Sequence, residues 1–376
     1  MNVRSQRFSI GQPVVLANGE TLPHVDLVYE TYGQLNAAKD NAILLFHALT
    51  GSHHAAGFND ELPDAQTRWT EECHVGWWDD FIGQGKALDT RASYVICVNY
   101  LGGCYGSTGP TSVMPGQERP LGRQFPSLTI ADIVDSQIHL LDYLGIERLH
   151  AVVGASLGGL MCLSLATRYP DRVAKVIPIS AGLDVTPLQR LINFEQIIAI
   201  ESDPNFRAGD YYGYTPPNQG LSLARIIGHK TFVSVADLEA RARAGIIDTT
   251  NVFASYSVNH KLESYMIHQG RRFCSRFDAN SYLRILEAWQ RFDLVREAAC
   301  QHLSEVLIRC REQEFLTFTI DSDVCFYPEE QEKMVAALNA AGITSTRLTV
   351  HSEKGHDSFL LETGLFTPQI NYFLYS

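Results

Sequence analysis

The sequence predicts a doubly wound α/β fold, a mostly parallel sheet flanked by helices and interrupted by a long helical insertion. Three observations predict it. Short apolar runs at residues 42–46 (AILLF), 94–98 (YVICV) and 149–153 (LHAVV) have the unbroken character of strands buried on both faces. Helical periods alternate with them. From Asp184 to Leu294 the strand signal stops and amphipathic helices follow one another, until FLTFTI (315–320) and TSTRLTV (344–350) resume the alternation.

Taken from the N-terminus, residues 13–33 read as hairpin material, with apolar runs on either side of Asn18-Gly19, a strong turn signal. The stretch SLTIADIVDSQIHLLDYLGI sets Ile130, Ile133, Val134, Ile138, Leu141 and Leu144 along one helical stripe. Ser127 or Thr129 caps this helix and Gly145 stops it. A helix-like run, LMCLSLATRY, and a strand, VAKVIPIS (173–180), follow. The insertion reads as helices PLQRLINFEQIIAI, LSLARIIGHKTF, VADLEARARAG, HKLESYMIHQGRRF and ANSYLRILEAWQRF. The expected organisation is a core of residues 1–183 and 295–376 with an inserted helical lid of residues 184–294.

Composition narrows the function. The chain has 376 residues and is 45% apolar, enough for a large core. Its net charge of -12 argues against a nucleic-acid binder, so an anionic ligand must find local positive charge. The first residues, MNVRSQRFSIGQPVV, lack the apolar core of a signal peptide, and no run reaches the roughly 18 apolar residues of a membrane span. The expectation is a cytoplasmic protein with no membrane partner. The eight cysteines form no C-x-x-C pair and read as reduced packing thiols, with no metal site.

The chemistry is most legible in VGASLGGL (153–160), a G-x-S-x-G pattern between a strand and a helix. Small flanking residues permit the strained turn that lifts a serine hydroxyl clear of a sheet, the nucleophile elbow of the α/β-hydrolase fold. A serine nucleophile needs a base, and the base needs an orienting acid. In that fold the chain order is Ser, acid, His. Ser156, Asp323 after FLTFTI and His356 after TRLTV stand in this order at three strand ends. Asp321 and Asp184 compete for the acid, and His351 for the base. The oxyanion donors expected are the backbone N–H groups of Leu157, next to the nucleophile, and Leu49, in the loop after AILLF. His53 and His54, next to that loop, read as mouth-lining or surface residues rather than metal ligands.

Beyond the elbow, the chain resembles the homoserine O-acetyltransferases of the α/β-hydrolase superfamily. The resemblance runs through NAILLFHALTGSHH, NYLGGCYGSTGPTS, FPSLTIADIV, GASLGGL, GLSLARIIGHKTF, RFDANSYL, SDVCFYP and GHDSFLLE. NYLGGCYGSTGP and GLSLARIIGHKTF are far more diagnostic than G-x-S-x-G, which serine hydrolases at large share. The resemblance implies acyl transfer from acetyl-CoA, as co-substrate and not as a resident cofactor, to the hydroxyl of homoserine, by a ping-pong route through an acyl-serine. It also implies that Arg225 and Asp357 hold the amino-acid substrate, a guanidinium fork for its carboxylate and a carboxylate for its ammonium. It further implies a homodimer formed through the lid helices.

The chain departs from the family pattern at three places. Ala155 and Leu157 replace a glycine and a methionine in the elbow, Phe232 replaces a tyrosine, and Val324 and Cys325 stand where bulkier residues are usual. Lys261, Arg271, Arg272 and Arg276 form a basic cluster, either a solvated helix face or a rim for the CoA phosphates. Succinyl-CoA as donor, serine as acceptor, and plain ester hydrolysis are the competing readings.

Overall fold

The computed structural model describes residues 2–62, 68–244 and 255–376. Eight strands form one sheet: β1 (Gln6–Ile10), β2 (Val25–Tyr32), β3 (Ala42–Phe46), β4 (Tyr94–Val98), β5 (Leu149–Ala155), β6 (Val173–Ile179), β7 (Glu314–Ile320) and β8 (Thr344–Val350). Their spatial order is β1-β2-β4-β3-β5-β6-β7-β8. β2 is antiparallel to both neighbours, and the remaining pairs are parallel. Alternate side chains supply two apolar layers, with Leu44, Phe46 and Val152 in one and Ile43, Leu45 and Val153 in the other. Both faces are covered, which is why these strands read as unbroken apolar runs.

The hairpin around Asn18-Gly19 exists in miniature, Val14–Val15 pairing with Thr21–Leu22. The last run of that stretch leaves it to become β2. β1 escapes sequence reading because QRFSI is an edge strand with only Ile10 buried. Helix α1 (Ile130–Leu144) begins at Thr129, whose side chain accepts from Asp132 N–H in a capping box, and ends at Gly145 in the left-handed conformation (φ 68°).

The register explains where a site can form. Phe46 lies opposite Gly154, Ile179 opposite both Ala155 and Phe318, and Ile320 opposite Val350. β3, β5, β6, β7 and β8 therefore end along one edge. The segments leaving that edge carry Leu49, Ser156, Asp323 and His356, which are far apart in sequence.

Between β6 and β7 the chain forms α3 (Pro187–Glu201), α4 (Asn218–Phe232), α5 (Val235–Ala244), α6 (Lys261–Arg276) and α7 (Ala279–Gln290), while α2 (Leu157–Arg168) follows β5. Each helical run expected there matches one of these helices, with His260 the N-cap before α6 and Arg291 and Phe292 beyond the end of α7; Gly245, the last residue of VADLEARARAG, lies outside the described residues. Thr186 caps α3 with Pro187 in its first turn, and Asp278 caps α7 by accepting from Ser281 N–H at 3.0 Å. α3 packs on α4 and α7, α4 packs on α6, and α4 also meets the 355–357 turn. α8 (Pro328–Ala340) and α9 (Thr367–Tyr375) complete the layers around β7 and β8. Among the described residues no helix is long and apolar enough to cross a membrane.

Candidate active site

Ser156 sits between β5 and α2 with φ 58° and ψ -126°. A non-glycine residue in this region carries strain of about 1–3 kcal/mol and persists only where its surroundings enforce it. Here they do. Ser156 N–H donates to the Ile179 carbonyl at 2.9 Å. A Cβ at Gly158 would collide with the Phe46 carbonyl, and one at Gly154 with the Gly158 carbonyl, so these glycines let α2 approach the sheet. Ala155 fits where it stands, buried in the second apolar layer.

His356 Nδ1 lies 2.7 Å from Asp323 Oδ2. The other carboxylate oxygen, Oδ1, accepts from the N–H groups of Cys325 at 2.7 Å and Phe326 at 2.9 Å. Asp323 is thus fixed by the backbone that follows it and can only accept from the imidazole, which places the proton on Nδ1 and leaves Nε2 basic. Nε2 is buried with no hydrogen-bond partner among the described residues. Phe326 stacks on the ring and Phe359 meets it edge-on, with centroids 5.5 and 5.3 Å away. Burial alone would lower the pKa of His356, but the charge and hydrogen bond of Asp323, with Asp357 adding to them, raise it above its ordinary value.

The rival residues are occupied elsewhere. Asp321 pairs with His351 at 2.8 Å on the surface, His351 being 83% exposed. Asp184 pairs with Arg190 at 3.5 Å, also in solvent.

Leu157 is the first residue of α2, so its N–H has no partner within the helix. Leu49 lies in the loop after β3. Neither N–H donates to another group among the described residues. That loop is held firmly: His47 stacks on Tyr100 with centroids 3.6 Å apart, Tyr100 OH donates to the His47 carbonyl, and Gly51 N–H donates to the Ala48 carbonyl at 3.0 Å. Burial pushes the His47 imidazole down to about 3, so it is neutral packing.

One cavity of about 330 Å³ is lined by Leu49, Ser156, His356, Arg225 and Asp357 together. Asp323 stands behind His356, outside the lining. The Arg225 guanidinium carbon lies 5.4 Å from the Phe232 ring centre and 5.2 Å from that of Phe273. Arg225 has no ion pair and no hydrogen bond among the described residues, and neither has Asp357. Burial, then the charge of Arg276, lowers the Arg225 pKa. Burial raises that of Asp357, and the positive charges of His356, Arg225 and Arg241 offset only part of it. Asp357 precedes the short helix Ser358–Leu361, yet its side chain makes no capping bond there. An unpartnered guanidinium and an unpartnered carboxylate in one cavity suit a ligand carrying both a carboxylate and an ammonium.

Three features of this site differ from the sequence reading or escape it. His53 and His54 are buried, at 0% and 1% exposure, not on the surface, although His54 does touch the cavity. They surround Glu30, which accepts from His54 Nδ1 at 2.7 Å, Tyr32 OH at 2.7 Å and Asn59 Nδ2 at 2.8 Å. Tyr32 OH in turn accepts from Ala55 N–H, which anchors the far end of the 47–56 loop. A glutamate inside the apolar strand VDLVYETY was the signal for this node. Of the basic cluster, Arg272 and Arg276 line the cavity, and both engage Glu72, with Arg276 Nε 2.7 Å from Oε1. Among the described residues no three metal-ligating side chains converge, and all eight cysteines are unpaired.

The fold class these features define is that of the α/β hydrolases, and a family model described as alpha/beta hydrolase fold matches residues 41–363. A homoserine O-acetyltransferase of Methanohalobium evestigatum is 43% identical over 99% of this chain and 73% of its own length. A homoserine O-succinyltransferase of Alkalilimnicola ehrlichii is 40% identical over 97% of this chain and 93% of its own. Within the α/β hydrolases, this chain belongs to the homoserine O-acetyltransferase family. Among solved structures, homoserine O-acetyltransferase from Bacillus anthracis superposes with a TM-score of 0.88 at 28% identity, covering 100% of this chain and 98% of that one. Esterase E22 superposes with 0.87 at 26% identity, covering 99% of this chain and 100% of that one.

Proposed function

We propose that the protein is a CoA-dependent homoserine O-acetyltransferase working through an acyl-Ser156 intermediate. The observation that carries this reading is the pair Arg225 and Asp357, unpartnered in the cavity that Ser156 and His356 line. A hydrolase acting on simple esters has no use for such a pair, whereas an amino-acid acceptor satisfies both charges.

In the first half-reaction Ser156 Oγ attacks the thioester carbonyl and gives its proton to His356 Nε2. The developing oxyanion takes hydrogen bonds from the N–H groups of Leu49 and Leu157. The C–S bond then breaks, and CoA leaves as the thiol with the proton from Nε2. In the second half-reaction the homoserine hydroxyl gives its proton to Nε2 and attacks the acyl-serine carbonyl, and Ser156 recovers a proton as the ester leaves. Asp323 holds the tautomer and stabilises the imidazolium. Arg225 binds the acceptor carboxylate and Asp357 its ammonium.

In this reading residues 184–294 are a lid over a core of residues 1–183 and 295–376, and the lid keeps water from the acyl-enzyme. The protein works as a homodimer through lid helices. Supporting this, Leu188, Leu191, Phe194 and Ile198 form an exposed apolar stripe along α3. A cytoplasmic location fits the acyl-CoA donor and the reduced cysteines.

The test is thiol release from acetyl-CoA or succinyl-CoA, with and without homoserine or serine. Acetyl-CoA alone is expected to give one stoichiometric burst of thiol, with continued turnover only when homoserine is present. Continuous turnover at a rate that ignores every acceptor would establish hydrolysis instead, the activity named for esterase E22.

A further inference from the structure

The turn that carries His356 and Asp357 is bolted to the helical insertion by contacts outside the cavity. Lys354, two residues before His356, reaches into α5, where its Nζ lies 2.8 Å from Asp237 Oδ1. Asp237 is only 5% exposed, and its other oxygen takes Arg241 Nε at 2.5 Å. One turn earlier, Ser234 Oγ donates to the Glu353 carbonyl and also receives Asp237 N–H at 3.2 Å. Gly355, at φ 73°, lies so close to the backbone of Val233 and Ser234 that a Cβ there would collide with it. The corner between α4 and α5 therefore grips residues 353–355 from three directions. The same corner is reached one residue after Phe232, at the end of the helix that carries Arg225.

We propose that Asp237 is a positioning residue: by holding Lys354 it keeps His356 and Asp357 in register with Arg225 across the cavity. The proposal rests on the reading of Ser156 and His356 as reacting groups, and extends it to a residue that touches no substrate. Asp237 is nearly buried, so removing it strips Lys354 and Arg241 of their shared counter-charge, and removing Lys354 leaves the carboxylate held by Arg241 alone and releases the 353–355 segment from α5. The 353–357 turn then relaxes, and a displacement of about 1 Å in a base costs on the order of 100-fold in rate.

The experiment uses the full-length protein and the variants Asp237→Asn, Lys354→Met, their double, and Asp237→Glu. One readout is the rate at which a fluorophosphonate labels Ser156, which depends on His356 and on no acyl acceptor. The other is KM for homoserine in thiol release. Both single variants are expected to label about 10- to 100-fold more slowly and to raise KM. The double variant should be no worse than either single, and Asp237→Glu should recover part of the rate. Glu239→Gln, which removes the solvent-exposed partner of Arg243 on the same helix, should leave both readouts unchanged. Wild-type labelling and KM in folded Asp237→Asn would overturn the proposal, as would additive losses in the double variant. Failure of the wild-type chain to be labelled at Ser156 would instead overturn the underlying reading.

Discussion

His356 Nδ1 and Asp323 Oδ2 lie 2.7 Å apart, buried, with the other carboxylate oxygen accepting from the backbone N–H groups of Cys325 and Phe326. The pair raises the His356 pKa above its ordinary value, and in the proposed mechanism His356 must be neutral to accept the proton of Ser156. The rate of acyl-enzyme formation should therefore rise with pH through a pKa above 6.5. In Asp323→Asn the anion that raises the pKa is gone, so that limb should move to lower pH while kcat falls about 10⁴-fold. Asp321→Asn, which weakens the surface pair with His351 and keeps an amide oxygen to accept from Ser352 N–H, should change neither. Measuring kcat/KM against pH for all three proteins checks this.

Arg225 and Asp357 should divide the two half-reactions. In Arg225→Ala the homoserine carboxylate loses its counter-charge, and kcat/KM for homoserine should fall about 30-fold or more, equivalent to ~2 kcal/mol or more. The burst of CoA from acetyl-CoA alone should be preserved. Arg225→Lys should not restore full activity, because an ammonium lacks the planar fork and the stacking on Phe232 and Phe273. Stopped-flow thiol detection separates the two steps.

Gly158→Ala should destabilise the protein by about 1–3 kcal/mol, because the new methyl meets a backbone carbonyl, Phe46 O, that cannot swing away. A melting temperature several degrees lower is expected, with reduced activity because the N–H of Leu157 moves with the helix. Gly11→Ala, where a Cβ meets open space, should melt like the wild type.

The apolar stripe on α3 predicts self-association. Leu191 and Phe194 are 60% and 54% exposed, and placing a glutamate at both should yield a monomer by light scattering. A wild-type chain that is already monomeric would refute the dimer.

The sequence made some parts of the molecule legible and hid others for physical reasons. The β3, β4 and β5 runs and the α1 stripe were readable because burial on both faces, or on one helical face, imprints a local period. Ser156 was readable because its backbone demands small neighbours close in sequence. Asp323 could not be separated from Asp321 by sequence, since both follow β7 within one turn. The side-chain partners His356 and His351 distinguish them, and only the fold supplies those. Glu72 and Asp237 were hidden for the same reason, and Glu30 was marked only by its place in an apolar strand, without its partners. Each has a partner distant in sequence, His54 for Glu30, Arg276 for Glu72 and Lys354 for Asp237, and no local pattern encodes such a contact.

The backbone at Ser156 also limits what chemistry the position can ever host. With φ at 58°, a β-branched side chain is sterically disfavoured there. Threonine is thereby excluded as a replacement hydroxyl, while cysteine, unbranched and of similar size, meets no such barrier. If Ser156 is the nucleophile proposed above, the elbow is selective for its shape before its reactivity, so a thiol enzyme is a shorter step from this protein than a threonine one.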